Sequence, residues 1–259
     1  MKKTLTKILL CSVILIGLTG CGGNSSKKDE EKIKENKEKI INIIKDSIYN
    51  WSYQEDKLTI TDDYEVTAKL YNVNHWYICG ENLEKAITKA INKDSDKLIK
   101  SLSFECYDPN MNIISKVESK KLESNNFKIY DKDNNEINKT IAEGKEEFKA
   151  LCNKYAYKEV FRKIENYTGK YAQFTGEVNQ VLEDDDYFQI MMSVTKDEWG
   201  YYDDSIMVII NKDNFDERIL EDDIITVYGV IGDAYTYETV LGVQRTIPSF
   251  EAYFGVLVK

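Results

Sequence analysis

Gly169-Lys170-Tyr171-Ala172-Gln173-Phe174-Thr175-Gly176-Glu177-Val178 sets the architecture of the second half of the chain. Ala172, Phe174, Gly176 and Val178 fall on one face of an extended segment and alternate with Tyr171, Gln173, Thr175 and Glu177, the period of two of a half-buried strand. A glycine inside such a strand marks a bend or bulge. Phe188, Ile190, Met192 and Val194 repeat the alternation, residues 206–210 are continuously apolar, 224–231 form another apolar run with Gly229 inside it, and 250–258 supply the last. Acidic or glycine-containing turns bound each run, so five strands are expected. A small antiparallel barrel suits five strands whose first and fourth members are bent, because closure leaves no sheet edge. Charged helical stretches at 145–152 and 158–166 lead into it.

Working toward the N-terminus, Ile33, Ile40, Ile41, Ile44 and Ile48 recur near a period of 3.6 and predict a helix. Tyr64, Val66, Ala68 and Leu70 alternate as a strand does. Leu83, Ala86, Ile87, Ala90 and Ile91 return to helical spacing, which ends near 93–95. Strands are expected at 98–107 and 112–118 about the turn Asp108-Pro109-Asn110. A further hairpin is expected at 127–137. The fold class is therefore α+β: a small N-terminal α+β region at 40–142 with helices on one face of an antiparallel sheet, then a helical lead-in and five-stranded barrel at 143–259.

The first residues read as an address. Lys2, Lys3 and Lys7 precede an apolar stretch at 8–18, the form of a signal peptide; that stretch is roughly half of what a membrane-spanning helix needs. Leu18-Thr19-Gly20-Cys21 then resembles the lipobox of bacterial lipoproteins. The resemblance implies cleavage between Gly20 and Cys21 and a diacylglycerol on the Cys21 thiol, placing the chain on the extracytoplasmic face of the cell membrane. Residues 21–39, nearly all polar, read as a tether. Removing 1–20 takes away three lysines and no acid, moving the formal charge from −10 to −13. Nucleic acid is a poor partner for such a surface, since binding it depends on basic residues. Beyond Cys21 there are three cysteines, Cys79, Cys106 and Cys152, so at most one intrachain disulfide can form among them.

A second resemblance covers the last two fifths of the chain. The segment beginning at Gly169 looks like the first strand of OB-fold domains, and Asp223-Ile224-Ile225-Thr226-Val227-Tyr228-Gly229-Val230 looks like their fourth. From Tyr155 onward the chain is similar to the C-terminal domain of lipoproteins of AT-rich Gram-positive bacteria, an OB-fold of the tRNA-anticodon-binding kind. That likeness implies a fold and not a ligand. The usual nucleic-acid face of the fold combines basic residues with stacking aromatics, whereas the corresponding loops here hold Glu183, Asp184, Asp185, Asp186, Asp203, Asp204, Glu221, Asp222 and Asp223.

Those loops are also aromatic. Tyr187, Trp199, Tyr201, Tyr202, Tyr235 and Tyr237 are the candidate binding residues, in or beside the segments joining strands one to two, two to three and four to five. OB-folds bind through the face of strands two and three and the first and last of these loops. Tyrosine and tryptophan offer an apolar body with a polar tip, which suits a protein or the flat face of a sugar. No metal site is assigned. Asp131-Lys132-Asp133-Asn134-Asn135-Glu136 begins like a calcium loop, but Glu136 stands where glycine is needed and Ala142 where the bidentate glutamate belongs; a polar hairpin turn explains the same residues. No catalytic constellation or cofactor motif is found: His75 is the single histidine, four residues from Cys79, and neither a nucleophile elbow nor a phosphate loop occurs. The expected function is a membrane-anchored binding or adaptor module contacting a protein or cell-wall glycan. A cell-envelope hydrolase with paired carboxylates and a solute-binding receptor are the alternatives.

Overall fold

The computed structural model describes residues 25–47, 53–71, 73, 75–108, 110–120, 127–184, 187–215 and 217–258. The lipobox residues Leu18, Thr19, Gly20 and Cys21 lie outside them, as do Pro109, Asp185 and Asp186. Among the described residues the fold is mixed α+β with four helices and two five-stranded sheets, and contacts divide the chain into units 1–138 and 139–259. The expected boundary at 142/143 would cut through a helix: Thr140 caps α3 (Ile141–Leu151) with its hydroxyl on the Glu143 amide, while Glu143 reaches back to the Thr140 amide. That reciprocal capping box satisfies two amides that the first helical turn leaves open.

In the N-terminal unit, α1 spans Ser25–Ser47, so the stretch expected to be a tether is helical from residue 25 onward. Lysine and glutamate are good helix formers, pairs such as Glu35 with Lys39 sit one turn apart, and Ile40 and Ile44 are fully buried. Polarity marked the solvent face of a helix here. Strands β1 (Tyr53–Ile60), β2 (Glu65–Leu70), β3 (Ser101–Tyr107), β4 (Ile113–Ser119) and β5 (Lys128–Asp131) form a sheet in sequence order, with α2 (Trp76–Lys93) between β2 and β3. β1 was not expected. Nor is the sheet wholly antiparallel: β2 and β3 pair in parallel, because α2 carries the chain back across the sheet before β3 begins. Val66, Ala68, Leu70, Leu102, Phe104, Cys106 and Val117 are buried beneath the helices, and Lys69, Glu105, Lys116 and Glu118 make ion pairs on the other face. Cys79 of α2 is bonded to Cys106 of β3.

In the C-terminal unit, α3, α4 (Tyr157–Arg162) and a 3-10 turn precede β6 (Tyr171–Glu183), β7 (Tyr187–Lys196), β8 (Tyr202–Asn211), β9 (Ile224–Glu238) and β10 (Gln244–Leu257). The strands close in the order β10-β8-β7-β6-β9, with β9 returning to β10. One pair, β8 with β10, is parallel, which corrects the expectation of an all-antiparallel barrel; an odd number of strands in a ring cannot alternate direction throughout. Ala172, Phe174, Val178, Phe188, Ile190, Met192, Ile206, Val208, Ile225, Val227 and Phe250 fill the interior. Gly176 and Gly229 mark close approaches: a Cβ would stand 2.1 Å from the Ser193 carbonyl oxygen at the first and 1.9 Å from that of Glu251 at the second. Outside the barrel, Phe148 of α3 is buried against Tyr171, Tyr253 and Phe254.

One hairpin turn recurs in both units. Thr61, Asp108, Asp131, Asp197 and Thr239 each begin five residues in which the first amide donates to the fifth carbonyl and the fourth amide to the first carbonyl. In each, the first side chain also accepts from the fifth residue's amide. The fourth residue has positive φ: Tyr64, Met111, Asn134, Gly200 and Gly242. This is a hairpin turn closed by a left-handed residue at its fourth position, and it accounts for the acidic pattern at Asp131 without a cation.

Candidate functional site

The register of the barrel separates the candidate residues. Tyr187 opens β7 and faces Asn211, whereas at the other end of the same hairpin Lys196 faces Tyr202. Nine residue steps of strand, about 30 Å, separate the two ends. Tyr187 is therefore not brought together with the others. Its neighbours are Glu183, which pairs with Lys212 at 2.8 Å and Arg218 at 3.5 Å, and the hydrogen bond from Lys212, with its charge, holds the Glu183 carboxyl below its ordinary value.

At the opposite end lie Trp199, Tyr201 and Tyr202, and on the β9–β10 hairpin Tyr235 and Tyr237. β8 and β10 run in parallel, Ser249 facing Met207, so the start of β8 and the β9–β10 hairpin project the same way. Trp199 and Tyr201 belong to the β7–β8 turn, where the Asp197 carboxylate accepts both their amides at 2.9 and 2.8 Å. That bonding leaves both rings about three-quarters exposed. The Lys196 ammonium stands 5.2 Å from the Tyr202 ring. Tyr235 and Tyr237, expected in a loop, lie within β9, which runs seven residues past the end expected at 231. Their rings stack 6.3 Å apart, as side chains two residues along one strand face can.

Two residues of this end were missed. Tyr157 and Phe161 of α4 stack 5.5 Å apart, one helical turn from each other. Burial, with Asp204, Asp203 and Tyr237 adding to it, pushes the Tyr157 hydroxyl above its ordinary value, and α4 packs against β10. The i, i+4 pairing of aromatic rings was the available signal. Several acids in these loops have structural work: Asp197 holds its turn, Asp223 accepts the Leu220 amide at 2.7 Å, and Glu183 is paired.

Elsewhere, His75 is the N-cap of α2, its Nδ1 accepting the Tyr77 amide at 3.3 Å, and Cys79 is committed to its disulfide. Cys152 is buried, which pushes its thiol up to about 11. Among the described residues no three His, Cys, Asp or Glu side chains converge as a metal site would require, and no helix is long and apolar enough to cross a membrane.

No protein-family model matches the chain, and no curated protein does. Among solved structures, the mitochondrial single-stranded DNA-binding protein Rim1 of S. cerevisiae is 14% identical over 35% of this chain and 96% of its own, with a TM-score of 0.26. An OBody bound to hen egg-white lysozyme is 11% identical over 41% and 96%, at 0.29. A second OBody bound to the same lysozyme is 14% identical over 37% and 88%, at 0.24.

Proposed function

We propose that the chain is an extracytoplasmic lipoprotein, cleaved after Gly20 and acylated on Cys21, whose OB-type barrel serves as a binding or adaptor module for a protein or a cell-envelope glycan. The observation that carries the binding role is the placement of Trp199, Tyr201, Tyr202, Tyr235 and Tyr237 at one end, two of them on a turn that fixes the backbone and leaves the rings bare. Pre-ordered aromatic anchors lose little freedom on binding. The barrel assignment is supported by a five-membered ring of strands with a single parallel pair and by glycines at the two tightest strand crossings. Acids on the β7–β8 hairpin, Glu198, Asp203 and Asp204, favour a cationic or hydroxyl-rich partner over a nucleic acid.

Two measurements test this reading. Cys21→Ser is expected to abolish metabolic labelling by a fatty acid; continued labelling refutes the anchor. Replacing Trp199, Tyr201, Tyr235 and Tyr237 together by alanine is expected to remove cosedimentation with purified cell envelope while the far-ultraviolet spectrum stays unchanged. Retained cosedimentation would locate binding elsewhere, and release of soluble fragments from the envelope would favour the hydrolase.

A further inference from the structure

The β9–β10 hairpin outruns the barrel. The last β9 residue paired with β6 is Val230, and the first β10 residue paired with β8 is Ser249. From Ala234 to Pro248 the described strand pairings are those of β9 with β10 alone. Glu238 and Arg245 are the only formally charged residues of this ribbon, so it is electroneutral in a chain of net charge −10. At its tip Val240 and Leu241 are almost completely exposed, and Val243 more than half so. The turn that displays them is ordered: the Thr239 hydroxyl and carbonyl accept the Val243 and Gly242 amides. Tyr237 and Tyr235 stand behind the tip, stacked on one another.

We propose that this hairpin is a membrane-contact element, with Val240, Leu241 and Val243 entering the apolar boundary of an uncharged lipid surface and Tyr237 and Tyr235 resting among the headgroups. The succession from aliphatic tip to tyrosine follows the polarity gradient of a bilayer surface, where aromatic rings with polar tips are enriched. A bilayer also accepts a convex tip of this kind without a preformed pocket. Three aliphatic side chains bind a membrane weakly when alone. Beside an acyl anchor their insertion becomes an intramolecular step at high effective concentration, and stable attachment takes two such signals. The element rests on the Cys21 anchor proposed above. Of the five aromatic residues at this end it takes Tyr235 and Tyr237 to the lipid, so the partner site proposed above narrows to Trp199, Tyr201 and Tyr202 on the neighbouring turn and the start of β8. Glu198, Asp203 and Asp204 at the same end repel anionic headgroups, which commits the surface to zwitterionic lipid.

The test uses the full lipidated chain carrying Trp199→Phe and Leu241→Trp, in phosphatidylcholine vesicles with brominated acyl chains. Flotation reads the anchor and indole quenching reads the tip, with Trp199→Phe alone as the background. The introduced indole is expected to shift to the blue and lose its emission severalfold; adding Val240→Asp and Val243→Asp is expected to restore the emission while flotation is unchanged. Phosphatidylglycerol in the vesicles is expected to weaken the quenching, and salt to recover it. Flotation without quenching overturns the membrane contact and leaves the anchor standing. Failure to float overturns the anchor. Quenching that survives the two aspartates, or a blue shift that requires added protein in place of lipid, overturns the proposal as well.

Discussion

In the N-terminal unit the recurring hairpin turn places Tyr64, Met111 and Asn134 at its left-handed position; in the C-terminal unit it places Gly200 and Gly242 there. The two units differ in the same sense at larger scale. One is an open sheet covered by helices and tied by a disulfide between α2 and β3. The other closes on itself and uses glycine where strands cross most tightly. An open sheet has room to absorb side chains and is held by cross-links and cover. A closed ring has no slack, so its backbone must fit, and glycine supplies that fit.

The largest effect should come from violating the ring. Gly229→Val puts a Cβ within 2 Å of the Glu251 carbonyl oxygen and within 3 Å of the Ala252 Cα, all β10 backbone, and β9 and β10 must part to admit it. A loss of about 5 kcal/mol or more is expected, at the severe end of single substitutions. Peptide-level hydrogen exchange would show protection lost across β6–β10 and kept in β2–β4. Loss confined to β9 would mean that the ring has more slack than its geometry implies.

A second test concerns Glu251 itself. Its Oε1 is buried on β10 without a hydrogen-bond partner among the described residues, and burial pushes its carboxyl up to about 8. Unfolded, a glutamate titrates near 4.3. Between these values the folded state holds a proton that the unfolded chain has lost, so stability falls as pH rises from about 4.5 to 8 and is level beyond. The cost across that window is on the order of 5 kcal/mol by linkage. Glu251→Gln should flatten the pH dependence of the C-terminal unit's melting. An unchanged profile would show that the carboxyl reaches water.

The N-terminal unit should answer to its cross-link. Cys79→Ala with Cys106→Ala opens a loop of sequence separation 27, for which an expected loss of about 3.5 kcal/mol follows from loop closure. Exchange in β2–β4 should quicken while β6–β10 stays as it was. If both units weaken together, they do not fold independently.

These contrasts were partly written in the sequence. Alternation in β2, β6 and β7 was legible because each has one buried and one wet face. β1 was not: Gln54-Glu55-Asp56-Lys57 interrupts it, and at the sheet edge it needs no continuous apolar face. The two parallel pairs were hidden because side-chain alternation records which face a residue takes and not which strand lies beside it. The ribbon at 234–248 was hidden for another reason: its inner face alternates the half-buried Tyr235 and Tyr237 with polar residues, and on β10 only Ile247 and Pro248 near its base are buried. For the candidate site, residue types were legible, while the separation of Tyr187 from the other five is a property of register alone.

The smallest expected effects return to the recurring turn and have opposite signs in the two units. Met111 is exposed, so shortening it sacrifices little packing, yet its φ of 65° is a conformation that costs an L-residue about 1–2 kcal/mol. Met111→Gly removes that strain and returns part of the gain to the greater freedom of glycine in the unfolded chain. A net stabilisation of about 0.5–1 kcal/mol is expected. Gly242 has φ 76°, and the only neighbour within 4 Å of a Cβ there is the flexible end of Glu238 at 3.9 Å, so Gly242→Ala tests conformation without crowding. It should destabilise by about 1 kcal/mol. Urea titrations followed by hydrogen exchange in each unit would read both. Opposite signs would mean that the units share one turn and differ in how far each has relaxed it; equal signs would mean that the surrounding sheet, and not the fourth residue, sets the turn.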